Sequence, residues 1–199
     1  MRTVLSLNYL PNILWMRHFL TNNAVIDTHE HFVKQTYRNR TIILSANGPL
    51  ALTIPIQKTA HKMPMKDLKT DNTIHWQRQH WESIKSAYGS APYFIHYADA
   101  FEKLYQSAPE TLLQFEIDLL TLCLKLLKID VKIHLSETYV MPESDDTDLR
   151  KIITPKIETK ENFKPYLQVF AEKFPFTPNL SVIDVLLNYG PRSIDYILD

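Results

Sequence analysis

The sequence predicts an α+β or irregular α/β domain, strand-rich with a hairpin in its N-terminal part and helix-rich in its C-terminal part. Three observations lead there. Short β-branched runs with period-two alternation crowd the first sixty or so residues. Apolar residues at helical spacing dominate from about Ile74 onward. The length, 199 residues with 45% hydrophobic, matches one compact domain with a sizeable core, so residues 1–199 are taken as a single unit.

The elements follow in order. "TVLSLN" reads as a short strand, and a helix begins after Pro11. "AVIDTHEHF" reads as a second strand. Asn47-Gly48, between "RTIILS" and "LALTIPI", reads as a hairpin turn because both residues tolerate positive φ. A basic loop, "QKTAHKMPMKDLKTDN", leads to a helix from about Ile74 to Tyr88, with Ile74, Trp81, Ile84 and Tyr88 on one stripe. Another helix follows Pro92, and a long helix, apolar on most sides, runs from Pro109 to about Lys128. "VKIHLSETYV" alternates like a strand, and 141–160, rich in charge and proline, reads as a surface loop. "YLQVFAEKF" and "SVIDVLLNY" both read as helices, the latter capped by Ser181 or Asn179.

Composition excludes several functions. The only glycines, Gly48, Gly89 and Gly190, are used by one turn and two helix ends, so none remains for a phosphate loop or dinucleotide fingerprint. No GxSxG elbow or HExxH helix occurs, and no cofactor motif is evident. The single cysteine, Cys123, sits in an apolar run and reads as core. An unpaired cysteine suits a reducing compartment. Asparagine and proline interrupt the first apolar run, and no apolar stretch reaches the roughly 18 residues of a membrane span. The expected location is the cytoplasm.

Charge is uneven although 22 basic and 22 acidic residues cancel. Lys34 to Lys85 holds nine basic and three acidic residues, an excess that suits a small anion better than nucleic acid. Within it, "TYRNR" supplies Arg38 and Arg40 two apart, a strand spacing that would let both clamp phosphate or carboxylate oxygens, with Tyr37 and Asn39 pointing the other way. Structural ion pairs are the alternative. Just before them, period two would place Asp27, His29 and His31 on one face, types suited to a general base or to a metal. His61, His75, His80 and Asp71 could supply a further ligand but nothing anchors them there. Trp76, His80 and Lys85 on the first long helix are candidate ligand contacts or packing residues. Asp184 and Asn188, one turn apart among apolar residues, are structural hydrogen-bonding groups or substrate contacts.

Several longer motifs in order resemble the WbqC-like family of bacterial proteins. They are "NYLP" (Asn8, Tyr9, Leu10, Pro11), "HEHFVKQTYRNRTII" through "NGPLALTIPI", "WQRQHWESIKSAYGSAPYF", "YLQVF", and "NLSVIDVLLNYG", which includes Asn179. Many members carry His-Gln-Pro before the Asn-Tyr, where this chain has Leu5, Ser6 and Leu7. The family takes its name from a gene cluster for surface O-antigen polysaccharide. The resemblance therefore implies transfer of an acyl or aminoacyl group from a carrier to the amine of a nucleotide-linked sugar. His29 or His31 would then take the amine proton, and Arg38 and Arg40 would hold phosphate. A second reading is a non-catalytic binder of glycan or nucleotide-sugar that stacks it on Trp76, Tyr88 and Tyr93. A third is a metal-dependent enzyme built on Asp27, His29 and His31.

Overall fold

A computed structural model describes residues 2–21, 23–58 and 62–199. Its N-terminal half holds most of the short strands and its C-terminal half most of the helices, a single α+β unit. Strand β1 (Thr3–Ser6) pairs in parallel with β2 (Ala24–Asp27), Thr3 opposite Ala24 and Ser6 opposite Asp27. The parallel pair needs a crossover, which helix α1 (Ile13–Thr21) provides. Its first amides are satisfied by two asparagines: Asn12 Oδ1 accepts from Trp15 N and Asn179 Oδ1 from Leu14 N, both at 2.9 Å. Asn179 thus caps α1, while Ser181 caps the helix that follows it in sequence.

Strands β3 (Arg40–Ser45) and β4 (Gly48–Thr53) form the expected hairpin. Ser45 pairs with Gly48, so the loop residues are Ala46 and Asn47, and Gly48, at φ 100°, takes the conformation only glycine holds without strain. Helix α2 (Trp76–Tyr88) packs on β3 of this hairpin, and α3 (Phe94–Tyr105) packs on both α2 and α4 (Leu112–Leu126). Helix α4 starts later than Pro109, at the point where Thr111 accepts the amide of Gln114. It buries one face, including Leu112, Phe115, Leu119 and Cys123, rather than most sides. Strand β5 (Thr147–Asp148) joins the other edge of β1, giving the order β2-β1-β5. Helices α5 (Val182–Tyr189) and α6 (Ser193–Leu198) close the chain. Gly190, at φ 60°, lies so close to Tyr93 that a Cβ there would meet the ring at 2.2 Å. No helix among the described residues is long and apolar enough to cross a membrane.

Four expectations fail for tertiary reasons. "YLQVFAEKF" is not helical, because its side chains bond elsewhere: Tyr166 Oη donates to Asp184, and Gln168 exchanges two 2.9 Å bonds with the backbone of Thr177. "VKIHLSETYV" meets β2 at one bridge only, Leu135 to Ile26, and then turns away. "AVIDTHEHF" stops being a strand at Asp27. The 141–160 stretch is not all surface loop, since it carries β5.

Two buried titratable groups load the core with opposite signs. The Tyr9 hydroxyl bonds His80 Nδ1 at 3.0 Å and the Tyr105 hydroxyl at 2.5 Å. Burial pushes the His80 imidazole down from 6.5 to about 4. Glu116, in α4, is fully buried and neither carboxyl oxygen has a partner, so burial pushes its acidity well above the ordinary carboxyl range. Below pH 6.5 only the unfolded chain protonates at His80, so its contribution is complete above 6.5 and is lost as the pH falls toward about 4. Up to about 3 kcal/mol is involved. Glu116 works the other way, because the unfolded carboxyl ionises above 4.5 while the folded one stays neutral. Urea unfolding at pH 7.5 and 4.5 should show His80→Gln losing most of its stability deficit at the lower pH. Glu116→Gln should gain stability relative to the parent chiefly at the higher one. Parallel pH profiles for parent and variants would contradict both assignments.

Candidate functional site

The parallel strands β1, β2 and β5 end at one edge of their sheet, the side on which open parallel sheets hold ligands. Asp27 closes β2 by bending the chain: its Oδ1 accepts from His29 N at 2.9 Å, a local bond that competes with the ladder. The turn is pinned by Met65 N to Glu30 O and Lys66 N to Thr28 O, both 2.9 Å, and by a bridge between His31 and Pro64. Alternation is therefore lost. Asp27 turns inward, whereas His29, Glu30 and His31 all line one cleft of about 680 Å³. Val33, Thr36 and Arg38 continue its wall, and Tyr139, Arg150, Lys151, Thr154 and Lys156 form the opposite side.

The cleft's arginines are already paired. Arg38 meets Glu30 bidentately, Nε to Oε1 at 3.0 Å and Nη2 to Oε2 at 2.6 Å, and both are buried. Burial pushes the Glu30 carboxyl up, against the opposing pull of Arg38 and Ser6. Arg150 grips Asp148 through Nε at 2.9 Å and Nη2 at 2.7 Å, bonds Asp27 through Nη1, and lies 4.9 Å from the centre of the Tyr139 ring. Lys151 and Lys156 are exposed and have no ion pair among the described residues. These two lysines are the cleft's cations outside its ion pairs, with Lys151 near enough to help Arg150 hold the Asp148 carboxyl below its ordinary range.

The protonation of His29 follows from its neighbours. Its Nδ1 lies 3.3 Å from Thr28 Oγ1 and 3.4 Å from Ser136 Oγ. The Thr28 hydroxyl donates to the Ser136 carbonyl at 3.2 Å, and the Ser136 hydroxyl donates to the Asp27 carboxylate at 3.1 Å. Neither acceptor can donate in return, so both hydroxyl protons are committed and the oxygens face Nδ1 with lone pairs. With both hydroxyls donating in this way, Nδ1 would be their donor and Nε2 would keep its free pair, the tautomer of a proton acceptor. The same bonds deny Ser136 a nucleophile's role, because its proton goes to Asp27 and not to the imidazole. His31 is exposed on the same wall.

The structure thus brings His29, His31 and Arg38 together and disperses the other candidates. The paired-arginine clamp does not form: Arg40 opens β3 and lines a separate depression with Lys34, Asn39 and Gln35. Tyr37 is buried, and Asn39 holds β4's exit through Nδ2 to Ile54 O at 2.8 Å. Trp76, His80 and Tyr88 are core residues, so no stacking platform is exposed by Trp76 and Tyr88; Lys85 pairs with Glu82 at 2.8 Å. Asp184 anchors Tyr88, Tyr166 and Gln168, and Asn188 Nδ2 donates to the Asp184 carbonyl at 2.8 Å. Asn8, Tyr9 and Pro11 are buried beside Leu10, whose unusual φ of 42° is held by hydroxyls of Thr41 (2.9 Å) and Ser181 (3.0 Å) on its carbonyl. The metal reading fails on chemistry: the Asp27 oxygens accept from His29 N, Ser136, Val140 N and Arg150, leaving no lone pair directed at the histidines. No group of three or more metal-ligand side chains forms among the described residues, and His61 lies outside them. Missed from sequence were Ser136, Tyr139, Arg150, Lys151 and Lys156, whose one legible trace is the basic tail of "DLRKIITPK".

An uncharacterised protein of Mycobacterium tuberculosis is 21% identical over 228 aligned positions that cover 98% of this chain and 96% of that one. No solved structure matches. The model of the WbqC-like protein family matches residues 8–165, a span that contains His29, His31, Arg38 and both cleft lysines, and the chain belongs to that family.

Proposed function

We propose that the cleft binds a nucleotide-linked amino sugar and that the protein transfers an acyl or aminoacyl group from a carrier to its amine. The observation that carries this reading is the placement of His29 on the cleft wall, with Nδ1 against the Thr28 and Ser136 hydroxyls. In such a transfer the amine nitrogen attacks the donor carbonyl, a C–N bond forms, and the bond to the carrier breaks. His29 takes the amine proton and returns it to the leaving group. The protein supplies no nucleophile of its own, consistent with Cys123 being buried and Ser136 being bonded to Asp27. Lys151 and Lys156 hold the carrier's phosphate, a task that sequence spacing suggested for Arg38 and Arg40. Arg38, neutralised by Glu30, keeps the wall rigid instead. Family resemblance supplies the reaction class, and the residues supply the means.

The alternative of binding without catalysis separates cleanly. Nucleotide-linked amino sugars should raise the melting temperature of the full chain by mass action. Lys151→Ala/Lys156→Ala should weaken binding of a phosphate-bearing carrier and flatten its salt dependence. His29→Ala should leave binding within about twofold while lowering turnover by about 10²–10⁴-fold, the range of a positioned general base. Unchanged turnover in His29→Ala would remove the base from the mechanism. Binding by the parent with no transfer from any acyl or aminoacyl donor would favour the binder.

A further inference from the structure

The segment that carries the cleft lysines has a second face. Two successive turns run from Leu149 to Ile157, closed by the amides of Ile152 and Ile153 on Leu149 O, each at 3.1 Å, and of Ile157 on Thr154 O at 3.2 Å. They send Lys151 and Lys156 into the cleft and Leu149, Ile152, Ile153 and Ile157 into a separate groove of about 340 Å³, against Leu14 of α1. Ile152 and Ile157 are 52% and 51% exposed, so branched aliphatics at the groove face water where the described chain leaves them uncovered. Thr154 lines both hollows, and the cationic cleft and the aliphatic groove meet at its short side chain.

We infer that one amphipathic ligand spans both hollows, with its anionic head between Lys151 and Lys156 and an unbranched acyl chain in the groove, crossing at Thr154. This rests on the anion-binding reading of the cleft and narrows it. The groove has room for roughly ten methylene-sized groups, if each takes about the 30 Å³ of a water molecule. An aminoacyl group would bring a charged amine against aliphatic walls, a burial that is costly without a partner. An unbranched acyl chain meets no such cost, whereas an aminoacyl group would need Glu158, which also lines the groove, as its partner.

Calorimetric titration of the full chain with coenzyme A and with its hexanoyl and decanoyl thioesters tests this, these being anionic heads with graded chains. The decanoyl thioester should bind at least about tenfold tighter than the hexanoyl one, since each buried methylene contributes up to about fourfold. Ile152→Asn/Ile157→Asn, at half-exposed positions that the fold does not need buried, should abolish that difference and leave coenzyme A affinity unchanged. Lys151→Ala/Lys156→Ala should weaken all three ligands alike. Equal affinity for the two thioesters overturns the inference while the cleft reading stands. No binding of any of the three, with nucleotide-linked amino sugars still shifting the melting temperature, overturns the inference alone. Failure of the sugars as well would take the cleft reading with it.

Discussion

The buried carboxylate of Asp27 is the constraint on which the cleft depends. A carboxylate at 0% exposure is tolerable only when its lone pairs are occupied, and here four donors from three segments occupy them. His29 N comes from the turn after β2, Ser136 and Val140 from the segment beside β2, and Arg150 from the turn after β5. Because removing one member of a buried charged pair typically costs about 3–5 kcal/mol, these segments cannot separate independently. One side chain therefore ends β2, holds the Ser136 hydroxyl that lies beside His29, and pulls Arg150 across the end of the sheet.

That arrangement explains how a two-residue strand suffices. Strand β5 offers the sheet only Thr147 and Asp148, too few ladder bonds to hold an edge. Its hold comes from the ends: Asp146 receives Arg2 Nε at 2.8 Å, and Asp148 receives Arg150. Glu30 and Arg38 tie the opposite wall to it, since Arg38 Nη2 donates to the Arg150 carbonyl at 3.1 Å. The two ion pairs are thus joined through one peptide group, and the cleft walls move as a unit.

How far the sequence disclosed this depended on whether the deciding interaction was local. The hairpin, Ser181 cap and helix α2 were legible because Gly48, a capping hydroxyl and a helical stripe act over a few residues. The 166–174 segment carries a helical pattern, but Asp184 and Thr177 claim its polar side chains from a distance. The site divided in the same way. His29, His31 and Arg38 lie within ten positions of one another, and their types announced chemistry. Period two misassigned their faces, because Asp27 to His29 N is a local bond that ends the strand earlier than apolar patterning suggests. Ser136 and Lys151, over a hundred positions away, become part of the site only through Asp27 and β5.

The same segment shows how a chain of zero formal charge acquires a cationic cleft. In "ESDDTDLRKIITPK" the acids come first and the bases after. Glu143 and Asp146 turn back to Arg2, and Asp148 folds onto Arg150, so three of the four acids are engaged by arginine before the chain reaches the cleft. Lys151 and Lys156 follow the last of them and form no ion pair among the described residues. Net charge, or charge summed over a window such as 34–85, cannot register this, because what matters is the order in which opposite charges are used up along one turn-rich stretch. The electrostatics of the cleft follow from that order: the acids fasten the segment to the sheet, and the fastening leaves the lysines to the ligand.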